Sequence, residues 1–313
     1  MTRSPSLTLR GIQAPLGKRA HCSPYASSMR CLLVSDLHYT LKQSDWVVNT
    51  AGAFDVVVIA GDHLDISSNV ELQAQIAVIL TYLKRLGSKT RFIACSGNHD
   101  LDARNADNEK FARRIFRSRR FGVPSDEDSV LLDGTLFTIC PWWDGPKGCD
   151  RVGEQLERDS RRPKDQWAWV YHAPPDASPT IWGGRKHFGD TRLVRWVERY
   201  GPDLVMTGHI HQSPFKEGGS WVDRIGPTSV FNAGRQIGPV PTHVALDLGQ
   251  RKALWFSLAG AETVSLDGPL TRPVPELQET PDWLRGSGPG SDRSPAQSAA
   301  LADRASQGQG YGS

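Results

Sequence analysis

Short apolar runs recur along the chain, and a polar cluster follows each of them at once. Their length and their β-branched or aromatic content predict buried strands. These runs occupy residues 31–34, 56–60, 91–95, 167–171 and 204–207. Apolar residues at helical spacing predict helices over residues 70–86, 108–117 and 190–200. The alternation of strand and helix is typical of a single α/β domain.

The pattern changes after residue 208, where predicted strands replace helices. Three β-branched or apolar runs, bounded by Gly or Pro, occupy residues 229–232, 242–248 and 253–258. We expect them to form a second, antiparallel sheet that packs on the first. Trp167 and Trp169 alternate along one predicted strand and therefore share a face, which favours core packing for both.

The two ends of the chain differ from its interior. Residues 1–28 contain no Asp or Glu and lack the apolar centre of a secretory signal. We expect a disordered extension there, and Met29 directly before the first strand favours a start codon placed too far upstream over an organelle transit peptide. Residues 268–313 are dominated by Pro, Gly, Ser and Gln, which predicts a disordered tail. One domain over residues 29–267 remains.

Composition excludes several classes of protein. The net charge of +3, from 37 basic and 34 acidic residues, is too balanced for wholesale binding to nucleic acid or to an anionic membrane. No apolar stretch approaches the ~20 residues that cross a bilayer, so we expect no membrane association. Of five cysteines, Cys31, Cys95 and Cys140 lie in apolar runs and none forms a CxxC pair. Free buried thiols indicate a reducing compartment and favour a cytoplasmic protein.

The polar clusters that follow the strands carry the candidate chemistry. Because ligands bind beyond the carboxyl ends of parallel strands, we expect the clusters to meet at one rim. Their side chains offer carboxylate, imidazole and amide donors without a thiolate, a set that suits Mn, Fe, Zn or similar divalent ions. Residues two apart at a strand end point the same way, so each D-x-H or H-x-H pair can converge on one ion. The candidate metal ligands are Asp36, His38, Asp62, Asn98, His172, His209 and His211.

Taken together and in this order, the clusters resemble those of the calcineurin-like metallophosphoesterase family, whose pattern runs D-x-H, G-D-x-x-D, G-N-H-D/E, H and G-H-x-H. The match spans residues 36–211, and every motif is complete. The resemblance implies a four-layer αββα sandwich, with two mixed β-sheets flanked by helices, and two metal ions. Asp36, His38 and His211 would hold one ion and Asn98, His172 and His209 the other. Asp62 would bridge them.

The resemblance also implies a mechanism. Two ions about 3.5–4 Å apart activate a water and neutralise charge on the phosphoryl oxygens. His99 resembles the general acid of the family, which protonates the leaving oxygen. Asp65 resembles the carboxylate that orients this histidine, and the alternative for Asp65 is a turn or cap residue before the first long helix. For His63 we expect only packing in its loop.

Departures from two branches of the family narrow the prediction. Purple acid phosphatases have a tyrosine ligand at the position of Asp65, so an iron-tyrosinate centre is disfavoured. Ser/Thr protein phosphatases continue the second motif with Arg-Gly, where this chain has Ile66-Ser67. They also have Glu after the Asn-His of the third motif, where this chain has Asp100. A protein phosphatase is therefore disfavoured as well.

Three features bear on the substrate, and each has a structural alternative. Residues 110–120 carry six basic side chains, which form either a cationic wall beside the metals or, as we favour, a solvated helix face. Trp142 and Trp143 lie in a loop and either stack on a base or sugar or fill the joint between the sheets. Arg235 follows a strand and contacts a substrate phosphate if its turn lies on the catalytic rim, and is otherwise a surface arginine.

The sequence therefore predicts a two-metal phosphoester hydrolase. The G-N-H-D form of the third motif resembles the phosphodiesterase branches of the family, which favours a diester substrate, with a nucleotide as one option. The alternatives are a phosphomonoesterase, a nuclease that acts on DNA or RNA, and a non-catalytic scaffold that keeps the fold. Nucleic acid is not the favoured partner, and the sequence assigns no oligomeric state.

Overall fold

A computed structural model describes residues 29–183, 186, 189–268 and 270. The predicted extension over residues 1–28 lies outside the described residues, as does the predicted tail apart from Gly268 and Leu270. Four helices are present in the described part of the chain: α1 (Leu41–Thr50), α2 (Leu72–Gly87), α3 (Pro146–Ser160) and α4 (Thr191–Tyr200). None of the helices in these ranges is long and apolar enough to cross a membrane.

The first sheet contains six strands. Their bounds are β1 (Arg30–Val34), β2 (Val56–Ala60), β3 (Arg91–Cys95), β12 (His243–Asp247), β13 (Lys252–Ser257) and β14 (Gly260–Ser265). The strand order is β14-β13-β12-β1-β2-β3. Strands β1, β2 and β3 are parallel, whereas β12 pairs antiparallel with β1 and continues into an antiparallel meander. The sheet is therefore mixed.

The second sheet also contains six strands. Their bounds are β6 (Ser129–Leu132), β7 (Thr135–Ile139), β8 (Gln166–Val170), β9 (Leu204–Thr207), β10 (Val222–Ile225) and β11 (Thr228–Asn232). The order is β10-β11-β9-β8-β7-β6, with four parallel strands in the centre and an antiparallel strand at each edge. A two-stranded hairpin of β4 (Ala103–Arg104) and β5 (Lys110–Phe111) lies apart from both sheets.

Three hydrophobic clusters hold the four layers together. Alternate residues of the two sheets, such as Leu33 and Val170, face each other in the central cluster. The other face of the first sheet packs on α1 and α2, and the other face of the second packs on α3 and α4. Trp167 and Trp169 lie in the last of these clusters, which confirms core packing for both. The predicted αββα sandwich with two mixed sheets is confirmed.

Two predictions about elements are wrong. The runs at residues 242–248 and 253–258 do not join residues 229–232 in a separate antiparallel sheet, because β12 pairs with β1 and extends the first sheet. β11 instead lies parallel to β9. The helix predicted over residues 108–117 is replaced by β5 and a 3₁₀ turn over Ile115–Phe121. Its first residues are held in a hairpin turn, where Asn105 Oδ1 accepts hydrogen bonds from the backbone N–H groups of Asp107 and Glu109.

The remaining helices and the thiols agree with the sequence. The helices predicted over residues 70–86 and 190–200 are confirmed as α2 and α4, with ends that differ by two residues or fewer. Asp190 caps α4 by accepting from the backbone N–H groups of Arg192 and Leu193, and Gly201 ends it in the left-handed conformation. The four cysteines within the described ranges are buried and free.

Candidate metal centre

All seven predicted metal ligands lie at one rim of the sandwich. Asp36 and His38 follow β1, Asp62 follows β2, and Asn98 follows β3 in the first sheet. His172 follows β8, and the last pair follows β9 in the second sheet. These are the carboxyl ends of parallel strands, so the two sheets bring residues that are distant in sequence to a common edge.

The side chains at the rim form two compact groups. Asp36, His38 and His211 place one potential ligand atom each within 4.8 Å of one another, and Asp62, His172 and His209 do the same. His211 Nε2 lies 3.2 Å from Asp36 Oδ1, and 3.0 Å from His38 Nε2. These are the groups that the resemblance implies, apart from Asn98, which is an amide.

Asp62 lies between the two groups. Its Oδ2 is 3.2 Å from His172 Nε2 in one group and 3.6 Å from His38 Nε2 in the other. Its second oxygen, Oδ1, accepts a hydrogen bond from the backbone N–H of His99 at 2.9 Å. One carboxylate thus faces imidazoles from both groups, as a bridging ligand would.

The donor set fits divalent ions. Asn98 Oδ1 is buried and has no hydrogen-bond partner among the described residues, and the buried His172 Nε2 faces only the Asp62 carboxylate, 3.2 Å away. An unsatisfied buried polar group costs about 1–3 kcal/mol, and coordination to an ion would satisfy both atoms. His172 Nδ1 lies 2.7 Å from the carbonyl oxygen of Ala60, to which it can donate. This contact leaves Nε2 free to bind an ion, as in many histidine metal sites.

Electrostatics at the centre also suit a cation. Burial opposes charge on Asp62, but His172 and His38 nearby lower the pKa of this carboxyl below its ordinary value. Burial likewise works against charge on His172, but Asp62 and Asp36 outweigh it and raise the pKa of the imidazole to about 10. Burial lowers the pKa of both His38 and His209 to about 4. Two buried carboxylates therefore require positive charge among them.

The ligand loops adopt unusual backbone conformations. Asp36, His38, Asp62 and His209 all have positive φ, between 41° and 69°. Non-glycine residues rarely adopt these angles, which concentrate at functional sites. Gly97 passes so close to the second loop that a Cβ there would lie 2.6 Å from the backbone nitrogen of Asp62. The motif glycine is required at this position by lack of space.

Asp100 ties two of the ligand loops together, a role that sequence reasoning missed. Its buried carboxylate accepts hydrogen bonds from the backbone N–H groups of Gly97 at 2.9 Å, Leu64 at 3.0 Å and His63 at 3.3 Å. The loops of Asp62 and Asn98 are therefore held in register by one side chain. His63 is buried, and its Nε2 contacts the carbonyl oxygen of Cys95 at 3.0 Å, which agrees with a packing role.

His99 lies beside the metal ligands. Its Nε2 is 3.9 Å from Asp62 Oδ2, and its ring centroid is 4.6 Å from that of His38. Asp65 also lies here, because Asp65, His99 and His38 each place one atom within 4.8 Å of the others. No hydrogen bond joins Asp65 to His99. Asp65 Oδ1 instead accepts from the backbone N–H and the hydroxyl of Ser67, so the turn interpretation of this carboxylate is also consistent with the structure.

The three candidate substrate contacts differ in position. Arg235 reaches the rim, since its backbone N–H donates to the carbonyl oxygen of His211 at 3.1 Å and its charge contributes, after burial, to the lowered pKa of His38. Trp142 packs against the ligands, with its ring centroid 5.1 Å from His209. Trp143 stacks on Tyr171, with ring centroids 4.5 Å apart, and packs against the hydrophobic cluster between the second sheet and the helices α3 and α4. Trp143 therefore fills space between elements.

The basic segment forms no continuous wall. Arg114 pairs with the buried Asp102 at 3.0 Å, and Arg119 pairs with Asp128 at 2.8 Å. The remaining basic side chains are exposed, at Lys110, Arg113, Arg117 and Arg120. These side chains are exposed, but the solvated helix face that we favoured is wrong, because the segment is not a helix.

The fold is a two-sheet sandwich whose rim carries two groups of candidate metal ligands, as in a metallophosphoesterase. The sequence profile of the calcineurin-like phosphoesterases matches residues 29–213, more than half of the chain. The chain belongs to the calcineurin-like phosphoesterase family, whose centre is typically dinuclear, and it is a phosphoric ester hydrolase.

Solved structures similar to this chain include protein TT1561 of Thermus thermophilus, with 13% identity, coverage of 77% of this chain and 100% of that one, and a TM-score of 0.49. The purple acid phosphatase PPD1 of yellow lupin, Lupinus luteus, has 13% identity and a TM-score of 0.47, and the match covers 80% of this chain and 53% of the phosphatase. Yfce, a phosphoesterase of E. coli, has 15% identity, coverage of 76% and 94%, and a TM-score of 0.32. Comparison with curated protein sequences finds no significant match.

Proposed function

We propose that the protein is a two-metal phosphodiesterase. The observation that carries the proposal is the position of Asp62, whose Oδ2 lies within 4 Å of His172 Nε2 from one ligand group and His38 Nε2 from the other. A carboxylate shared in this way suits two ions side by side and not one. Mn is the first ion to test, with Fe and Zn as alternatives from the same oxygen and nitrogen donors.

The residues of this chain would act as follows. Asp36, His38 and His211 would hold one ion, Asn98, His172 and His209 would hold the second, and Asp62 would be shared between them. When bound, the two ions supply an activated water at neutral pH and neutralise charge on the phosphoryl oxygens. Ala60 orients His172 through the contact to Nδ1, and Asp100 fixes the loops of Asp62 and Asn98.

His99 would supply the proton for the leaving oxygen from Nε2. Its position near Asp62 supports this role, because a group that leaves as an alkoxide departs from phosphorus bound at the same centre. Asp65 would face the imidazole of His99, which lies within 4.8 Å, while it also closes the Ser67 turn. Arg235, whose backbone is hydrogen-bonded to His211, would bind a non-bridging phosphate oxygen.

The diester preference follows from the Asn98-His99-Asp100 form of the third motif, and the phosphomonoesterase and nuclease alternatives stay predictions. The scattered cations after β5 do not favour a nuclease. The cytoplasmic location expected from the free thiols also stays a prediction, and the oligomeric state is unassigned.

The test is hydrolysis of bis-p-nitrophenyl phosphate against p-nitrophenyl phosphate by metal-stripped protein titrated with Mn, Fe or Zn. We expect metal-dependent turnover with a higher kcat/KM for the diester. Asp62→Asn should abolish it, whereas Asp150→Asn makes the same change at an exposed site on α3 and should leave it intact. A higher kcat/KM for the monoester would make the protein a phosphatase, and no turnover with any of the three ions would support a scaffold.

A further inference from the structure

A cleft of about 320 Å³ lies next to the metal centre. This volume falls at the lower end of the range for small-molecule sites. The side chains that matter for its chemistry are Asn105, Lys110, Asp126, Trp142, Trp143 and Arg151. None of these residues is among the metal ligands, so the cleft is separate from the ion positions.

The indole of Trp142 is the wall that the cleft and the metal centre share. Its ring centroid lies 5.1 Å from that of His209 and 5.7 Å from that of His172. The cleft is also lined by the hairpin of β4 and β5, which follows the Asn98–Asp100 turn, and by the start of α3, which follows β7. Both segments come after strands whose carboxyl ends lie on the side of the sheets that carries the metal ligands.

The walls combine aromatic surface with unused donors and acceptors. Asn105 Oδ1 is occupied by two backbone N–H groups, so its amide N–H groups point elsewhere. The ammonium of Lys110 forms no ion pair within the described ranges. Asp126 is fully buried, with Oδ1 accepting from the backbone N–H of Ser96 at 2.7 Å. Its Oδ2 has no hydrogen-bond partner among the described residues, and a ligand N–H would remove that deficit.

The charge of the cleft restricts its occupant. Two cations, Lys110 and Arg151, are balanced by the exposed carboxylates of Glu127 and Asp144, and Arg151 already pairs with Glu127 at 3.7 Å. The cleft therefore offers no excess positive charge to a second phosphate, which is disfavoured. A simple ammonium group has no acceptor, so the N–H donors of Asn105 and Lys110 would have no hydrogen-bond partner in the ligand. A planar ring that carries both N–H donors and carbonyl acceptors uses all of these groups and stacks on indole.

We propose that this cleft binds the base of a nucleoside phosphoester whose phosphorus lies at the metal centre. This inference rests on the proposed function and names its substrate class. Trp142 then separates the base from the ligand imidazoles, and Asp126 and Asn105 bind the polar edge of the ring. A smaller alkyl ester would reach the metals without filling the cleft.

The test compares two diesters with the same leaving group: thymidine 5′-(p-nitrophenyl phosphate) and methyl p-nitrophenyl phosphate. We expect kcat/KM to favour the nucleoside ester by about tenfold or more, as stacking of one base would give. Lys110→Trp and Arg151→Trp place an indole in the mouth of the cleft from two different elements, and each should bring the ratio towards one. Lys252→Trp, on an exposed position at the opposite end of the first sheet, should keep the ratio of the native protein.

A binding measurement separates failure of this inference from failure of the proposed function. Equilibrium dialysis of thymidine against metal-stripped protein should show binding that either blocking variant removes and Lys252→Trp retains. If neither ester is cleaved but this binding pattern is observed, the proposed function is wrong and the base site stands. Three results would overturn the base site. The first is equal kcat/KM for the two esters, and the second is a ratio that neither blocking variant changes. The third is a protein that cleaves neither ester and does not bind thymidine.

Discussion

The stability of the protein should decrease between acid and mildly alkaline pH because of Asp126. Burial, with the nearby charges of Asp100 and Glu127, raises the pKa of this carboxyl to about 7, although Ser96 donates to it. In the unfolded chain the group has its ordinary pKa, about 3.9. Between these values the folded protein binds more protons than the unfolded chain, so the free energy of unfolding falls as pH rises. The full loss above pH 7 is ~4 kcal/mol.

Asp126→Asn isolates this effect. The amide oxygen of Asn can still accept from the backbone N–H of Ser96, but the side chain has no proton to lose. The variant should gain ~2–3 kcal/mol relative to the native protein on going from pH 5 to pH 8, as the linkage relation gives for these pKa values. Urea unfolding at both pH values measures the difference, and Asp150→Asn controls for removal of an exposed carboxylate. A native-to-variant difference that does not change with pH would refute the reasoning.

Three further predictions concern the metal centre. His99→Ala should slow cleavage of a diester with an alkoxide leaving group by ~10²-fold or more, because an alkoxide needs a proton to leave. Cleavage of a diester that releases p-nitrophenolate should be affected much less. Steady-state kinetics on both esters measures the difference, and equal losses would show that His99 is not the acid. Asp62→Asn should hold fewer than two equivalents of metal after dialysis, measured by elemental analysis, and a full complement would contradict bridging. Gly97→Ala should lower metal content and kcat because its Cβ would overlap Asp62. Gly52→Ala is the control, because its Cβ meets no atom within 4 Å, and it should change neither quantity. Equal metal content and kcat in the two variants would show that the loop can move.

The family resemblance implied the layers of the fold, and the apolar runs located most of its parallel strands, but neither gave all of the pairings. Apolar runs marked most of the parallel strands, because strands buried on both faces are continuously hydrophobic, as at β2 and β9. No bounds were predicted for β7, and β11 was expected to be antiparallel. The same composition cannot show which strand is the neighbour. β12 therefore joined β1 across about 200 residues of sequence, a contact that no local pattern records. The failed helix at residues 108–117 has a similar cause, since the side chains of Asn105 and Asp102 hold its backbone from outside the segment.

The candidate site was predictable where residue type alone sets the chemistry. Every carboxylate and imidazole expected at the rim is found there, since each stands directly after a strand that could be recognised. Residues that act through hydrogen bonds could not be recognised in this way. Asp100 is recognisable in the sequence only as part of a motif and Asp126 only as a loop carboxylate, and the structure shows that both accept backbone N–H groups from the loop after β3.

The ligand carboxylates also fix the backbone of the loops that carry the ligands. Asp36, Asp62 and His209 have left-handed backbone angles, which cost about 1–3 kcal/mol each when nothing compensates. Hydrogen bonds from backbone N–H groups to a buried carboxylate stabilise by about the same amount, ~1.5–3 kcal/mol each. Asp36 accepts in this way from His209 N, and Asp62 from His99 N, so each ligand carboxylate also secures the neighbouring loop. The carboxylates that would hold the ions therefore also hold the backbone of the neighbouring ligand loops in place.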